Sequence, residues 1–285
     1  MIINEINSNI WYEKAKSIQG YTFFNSKRWI ESISKIFNLK NYYLSISYNE
    51  NTIYTIVQVD KNKLGYSVFI GYGGLITSEC ISETLTKEVF ISIENYLSIS
   101  IVRVKGSPFI QRFNYLSEKN NVLALKINSG YTPNKKIRYI FNKINNKLFY
   151  IRKVKTEEID ELYDIYMITS KRVKSTYQTP KELFRLMIEN EEIEVLGAFD
   201  TKEKIHAISI FMYSNKIMHY WWNMSDEISR KEYLNYMLID HAIKIAIKKN
   251  ISWLDMATSH SPELELFKKS WGSTKIPFIY LEKTS

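Results

Sequence analysis

The run from Tyr220 to Gly272 constrains the fold of this chain more than any other part of it. Residues 217–223 form an extended segment closing on Tyr220-Trp221-Trp222-Asn223, and a polar loop follows. From about Arg230 to Lys249, Leu234, Met237, Leu238, Ala242, Ile245 and Ala246 recur on one helical face. Residues 253–256 then make a strand and 263–270 a short helix, ended by Trp271-Gly272. A strand that runs into a helix N-terminus presents backbone N–H groups and a dipole to a diphosphate or a carboxylate. Two neighbouring strands that part beyond that point leave a slot.

The rest of the chain repeats the theme. Helices are expected at 26–37, 83–97, 157–173 and 181–189, and strands at 42–48, 52–60, 66–70, 100–105, 122–127, 194–200, 205–214 and 276–282. With 285 residues the chain suits two domains, and the order of elements recurs in each half, so the boundary is placed between 1–134 and 135–285. Gly71-Tyr72-Gly73-Gly74 predicts a sharp turn. Its alternative, a phosphate cradle, lacks the accompanying Lys-Ser/Thr pair. The densest basic tract, from Lys135-Lys136-Ile137-Arg138 through Lys143 and Lys147 to Lys155, carries Ile137, Ile140, Phe141 and Ile144 at helical spacing. It reads as a basic amphipathic interdomain helix, either simply solvated or a contact surface for RNA or phosphate.

The formal charge of +9 favours an anionic partner such as a nucleotide-linked donor, RNA or a membrane surface, although most single lysines in so Lys-rich a chain are simply solvated. Cys80 is the only cysteine, which excludes an internal disulfide and suits a reducing compartment. Met1-Ile2-Ile3-Asn4-Glu5 has no basic stretch leading into a long apolar run, and no apolar stretch reaches the roughly 18 residues a membrane span needs. The expectation is a cytoplasmic protein with no integral membrane segment. His206, His219, His241 and His260 show no zinc-ligand spacing, so no metal is expected. His260, in the loop after Asp255, is either a plain loop residue or a base for an amine proton. Of Trp221 and Trp222, strand alternation sends at least one into the core, and Trp222 is the candidate for stacking on a ligand.

Four segments together resemble the FemAB-type branch of the GNAT superfamily: Phe24-Asn25-Ser26-Lys27-Arg28-Trp29, Lys135-Lys136-Ile137-Arg138, Thr169-Ser170-Lys171-Arg172 and Phe267-Lys268-Lys269-Ser270-Trp271-Gly272. The resemblance implies an α/β (α+β) fold of two tandem GNAT-like domains with mixed, largely antiparallel sheets. It implies an acyltransferase that moves an acyl group from an activated donor to an amine of a cell-envelope or glycan precursor. It places Lys268 where family members stabilise the oxyanion of the tetrahedral intermediate, an interaction worth ~3–4 kcal/mol. It places Arg172 where they contact acceptor phosphate, which suits a planar guanidinium. The alternative for Lys268 is a solvent-facing lysine on a short helix.

The chain also departs from the pattern. Asp226-Glu227-Ile228-Ser229-Arg230-Lys231-Glu232-Tyr233 stands where simple GNAT enzymes carry a glycine-rich pyrophosphate loop. Arg230 and Lys231 are the side chains there that would serve a phosphate instead. The donor therefore stays open between acyl-CoA, an acyl carrier and aminoacyl-tRNA, with an anionic, amine-bearing acceptor. Transfer of groups other than aminoacyl is the first expectation. A tRNA-dependent aminoacyltransferase, or a non-catalytic module holding an anionic glycan or RNA, is the alternative.

Overall fold

The computed structural model describes residues 1–18, 20–79, 81–109, 120–144 and 148–283. Cys80 and Lys147 lie outside them. In chain order the elements begin with β1 (Ile2–Glu5), α1 (Ser8–Ala15), α2 (Lys27–Phe37), β2 (Lys40–Tyr48), β3 (Asn51–Val59), β4 (Leu64–Tyr66), α3 (Glu83–Leu97) and β5 (Ser100–Lys105). They continue with β6 (Asn121–Lys126), α4 (Lys135–Lys143), β7 (Phe149–Lys153), α5 (Ile159–Arg172), α6 (Lys181–Ile188), β8 (Ile193–Asp200), β9 (Ile205–Ser214) and β10 (Ile217–Ser225). Last come α7 (Glu227–Lys231), α8 (Leu234–Lys248), β11 (Trp253–Asp255), α9 (Pro262–Ser270), β12 (Thr274–Pro277) and β13 (Tyr280–Glu282).

The chain divides into two units. The first comprises Met1–Asn121 and Ile276–Ser285. Its sheet runs β1-β2-β3-β4-β5-β13, with β4 and β5 parallel and the remaining pairs antiparallel. Ser26 caps α2 by accepting the Trp29 N–H, and Trp29, Ile30 and Ile33 are wholly buried on one face of the helix. The Gly71–Gly74 segment is a packed turn. At Gly71, φ is +124° and a Cβ would stand 2.2 Å from the Phe24 ring, while the Gly73 N–H donates to Lys105 O at 2.7 Å.

The second unit, Val122–Lys275, holds most of a seven-stranded sheet in the order β12-β6-β11-β10-β9-β8-β7. β10 and β11 are parallel; β6/β11, β9/β10, β8/β9 and β7/β8 are antiparallel. α8 lays Leu234, Leu238, Ile239, Ala242, Ile243 and Ala246 into its core. The tandem, mixed and largely antiparallel architecture expected from the sequence is the one observed.

Several details differ from the sequence reading. The contact-defined boundary falls at 121/122 and again at 275/276, whereas the sequence reading put it at 134/135. β6 pairs with β11, Lys126 opposite Trp253, so residues 122–134 go with the second sheet. The expected strand 276–282 is two strands that join different sheets. The expected helix from Arg230 is two helices, broken where Tyr233 takes left-handed angles (φ 59°). β1, α1 and β7 were not anticipated, and β7 occupies part of the basic tract. Among the described residues no helix is long and apolar enough to cross a membrane.

Candidate functional site

The parallel strands β10 and β11 are matched at three pairs, Ile217 with Trp253, Met218 with Leu254 and His219 with Asp255. Beyond that last pair β11 ends, while β10 continues beside β9 to Ser225. The β10/β9 register also slips between Tyr220 and Trp222, as a bulge does when it re-aims side chains. A fork therefore opens at the C-terminal ends of these two strands. His219 and Asp255 stand at its base, 0% and 1% exposed, with Nδ1 and Oδ2 2.9 Å apart. Asp255 Oδ1 accepts the Ala257 N–H at 2.8 Å.

Lys268 projects inward from α9. Ser261 caps this helix by accepting the Leu264 N–H, Pro262 follows, and Glu263 and Glu265 lie in the first turn. Lys268 is 4% exposed, and its Nζ donates to Thr258 O at 2.6 Å and to Ala257 O at 3.4 Å. Burial pushes its pKa down to about 8, while the Asp255 carboxylate pulls the other way. Lys269, one position on, faces outward and pairs with Glu265 at 2.6 Å. The solvent-facing alternative thus describes Lys269 and not Lys268. His260 is exposed beside an open depression that it shares with Ser259, Ser261 and Lys269, and it makes no hydrogen bond to Lys268 or Asp255.

On the other side of β10, Thr169 stitches α5 to the strand end. Its Oγ1 accepts the Ser225 N–H at 2.8 Å and donates to Ser225 O at 3.2 Å. One turn further along α5 stands Arg172, exposed as a residue, whose guanidinium is held below the ordinary arginine range by desolvation and by the positive charge of Arg230. Neither arginine makes a carboxylate ion pair within 4.0 Å among the described residues, although Glu227 feels the Arg230 charge; Arg230 donates to Asp226 O at 3.3 Å. Arg172 and Arg230 thus feel each other's charge. Lys231 instead pairs outward with Glu227 at 2.9 Å, both well exposed. Trp222 packs 5.8 Å from Phe184 and 6.3 Å from Trp221. Both tryptophans are half-buried. The register slip defeats the expected alternation, so neither is a core residue.

Asp226 is the feature that the sequence reading did not find. One carboxylate oxygen caps α7 by accepting the Ser229 N–H at 2.8 Å; the other lies 2.7 Å from His206 Nδ1, whose Nε2 is 3.3 Å from Asp200. The helix start that a pyrophosphate would use already holds a carboxylate of the chain itself. His219 and Asp255 were also missed. Their signal was a polar residue set among apolar neighbours, His219 between Met218 and Tyr220 and Asp255 between Leu254 and Met256. No group of three or more metal-ligating side chains occurs among the described residues.

No protein-family model and no curated protein sequence matches the chain. Solved structures do. FemX superposes with a TM-score of 0.63 at 10% identity, over 98% of this chain and 96% of that one. L-PGS from Bacillus licheniformis gives 0.58 at 11%, over 100% and 94%. Saccharomyces cerevisiae N-myristoyltransferase with bound myristoyl-CoA gives 0.57 at 14%, over 100% and 79%. The fold is therefore of the FemAB/GNAT type. At these identities the likeness is one of fold, and the chemistry is argued from the residues.

Proposed function

We propose that this protein is an N-acyltransferase that moves an acyl group from an activated donor to the amine of an anionic cell-envelope or glycan precursor. The observation that carries the reading is the buried Lys268 ammonium beside the strand fork, with two N–H groups committed to Ala257 O and Thr258 O and a third to spare. When the amine attacks the donor carbonyl, a C–N bond forms and the carbonyl oxygen becomes an oxyanion, which that third N–H stabilises. Collapse breaks the donor's C–O or C–S bond, and the leaving atom takes the proton that the amine sheds. Arg172 and Arg230, which feel each other's charge and make no carboxylate ion pair within 4.0 Å among the described residues, are suited to a phosphate of the substrate. Trp222, half-buried, offers a stacking face.

A second reading, an aminoacyl-tRNA donor, is favoured by α4. Its exposed face carries Lys135, Lys136, Arg138 and Lys143, none ion-paired among the described residues, with Tyr139 59% exposed among them. Asp226 at the start of α7 argues in the same direction by disfavouring a pyrophosphate there.

The test is amide formation. The purified protein is incubated with acyl-CoA, acyl-carrier and aminoacyl-tRNA donors in parallel, each with amine-bearing nucleotide-sugar acceptors, and products are read by mass spectrometry. An amide that depends on Lys268 supports the reading. No amide from any donor, together with tight binding of an anionic glycan or RNA, would replace it with a binding module.

A further inference from the structure

Resting on that reading of Lys268, we propose that the buried Asp255–His219 pair is its positioning element: it shapes the loop whose carbonyls clamp the lysine and supplies the charge that keeps it an ammonium. Asp255 has two separate duties, one for each carboxylate oxygen. Oδ2 meets His219 Nδ1 across the last matched pair of the parallel ladder, at 2.9 Å, with both side chains removed from solvent. Burying a carboxylate this completely is costly unless partners hold it. Oδ1 takes the Ala257 N–H at 2.8 Å, two residues along the chain.

That second bond matters because Ala257 sits at φ 57°, in the left-handed region that a residue with a β-carbon seldom enters. The turn is held there by the carboxylate, and its geometry directs two successive carbonyls, those of Ala257 and Thr258, at Lys268 Nζ. Strand end, turn and helix α9 thus form one connected unit, His219 to Asp255 to the 257–258 turn to Lys268. The carboxylate also acts through space. Burial disfavours the lysine charge and Asp255 opposes it.

Among the described residues, the titratable and charged groups around the lysine are few. β11 contributes Asp255 and β10 contributes His219 behind it. On α9 itself Glu265 is engaged with Lys269 and Lys275, and His260 on the loop is exposed and makes no bond to the lysine. Asp255 is therefore the group whose loss Lys268 should register. Its role differs from that of a packing residue, because an uncharged isostere preserves the volume and an acceptor for Ala257 while removing the charge.

The test is a carbon-13 NMR titration of lysine Cε in the full chain, with the Lys268 signal assigned by its absence in Lys268→Met. Asp255→Asn should lower the Lys268 midpoint, because it removes the opposite charge that favours the ammonium. A folded Asp255→Asn protein with an unmoved midpoint overturns the proposal. Should that variant not fold, the coupling is read in reverse, since an interaction between two titrating groups is reciprocal. Lys268→Met must then shift the Asp255 carboxyl carbon-13 resonance, and an unshifted resonance overturns the proposal equally. These readouts need no substrate. If Lys268→Met leaves acyl transfer intact while the titration coupling is present, the functional reading fails and the positioning element stands; coupling absent with transfer abolished is the opposite result.

Discussion

At the scale of the residue, two adjacent lysines on α9 differ in nearly every physical respect. Lys268 is inward, clamped by carbonyls and pushed down to a pKa of about 8; Lys269 is outward and tied to Glu265. Lys268→Met should lower turnover by about a hundredfold or more with little change in substrate affinity, whereas Lys269→Met should be tolerated, and steady-state kinetics on the two variants decides this. Equal losses would mean a general electrostatic effect on an anionic substrate. The ammonium is the active form, so turnover should also fall as pH rises through about 8. The same lysine leaves a mark on stability. Its folded pKa lies below its unfolded one, so between about pH 8 and pH 10.5 the unfolded chain binds more protons, and stability rises with pH in that window. Below pH 8 the full cost of the buried charge, on the order of 3 kcal/mol, is present. Urea unfolding of wild type should therefore gain on Lys268→Met across the window, and parallel curves would show that the lysine is not buried as a charge.

At the scale of the element, the informative piece is the short helix α7. Asp226 caps it, and the capping carboxylate is also the partner of His206. Asp226→Ala should cost about 1 kcal/mol from the lost cap, and somewhat more because His206, 3% exposed in its side chain, then loses one of its two carboxylates. Denaturant melts measure this directly. The cap also explains a binding outcome. Acetyl-CoA titrated calorimetrically should show no micromolar binding, because the Ser229 amide is already bonded to the Asp226 carboxylate, which sets a negative charge at the start of α7. Micromolar binding would mean that Arg230 and Lys231 do by side chain what a glycine-rich loop does by backbone. The acidic N-cap was written in the sequence as Asp226 three residues before Ser229. It is hard to read because the apolar periodicity that marks a helix begins only at Leu234, beyond the short α7. The left-handed Tyr233 that separates α7 from α8 had no signal of the usual kind, being neither glycine nor asparagine.

At the scale of the whole molecule, the last ten residues matter out of proportion to their number. β13 is the edge strand on β5, with the Gly106 N–H donating to Ile279 O at 2.9 Å and the Lys283 N–H to Val102 O at 3.0 Å. Phe278 lies edge-on to Tyr72, and Leu281 packs on the first core. Deleting 276–285 should leave the Gly106 amide open to rapid hydrogen exchange, while the Gly73 amide, bonded to Lys105 O, keeps its protection. Loss of protection at both would mean that the first sheet fails as a unit without its edge.

What the sequence by itself determined is what operates over a few residues. Periodicity located α2, α3, β5, β9 and the buried face of α8, and the 100° step between successive helical residues made Lys268 and Lys269 unequal before any contact was known. The run of strands and helices suggested two similar halves, and the resemblance to the FemAB-type branch implied the tandem fold. What only the tertiary structure decided depends on which distant segments become neighbours. His219 meets Asp255 because β10 and β11 pair in parallel at that register, and the end of α5 reaches the end of β10 because Thr169 bonds to Ser225. The segment after Trp271 divides between two sheets because β12 lies beside β6 and β13 beside β5. Neighbouring residues carry no record of such a choice: hydrogen bonding between strands is set by the backbone of both partners, and a chain states its local preferences far more plainly than the company they will keep.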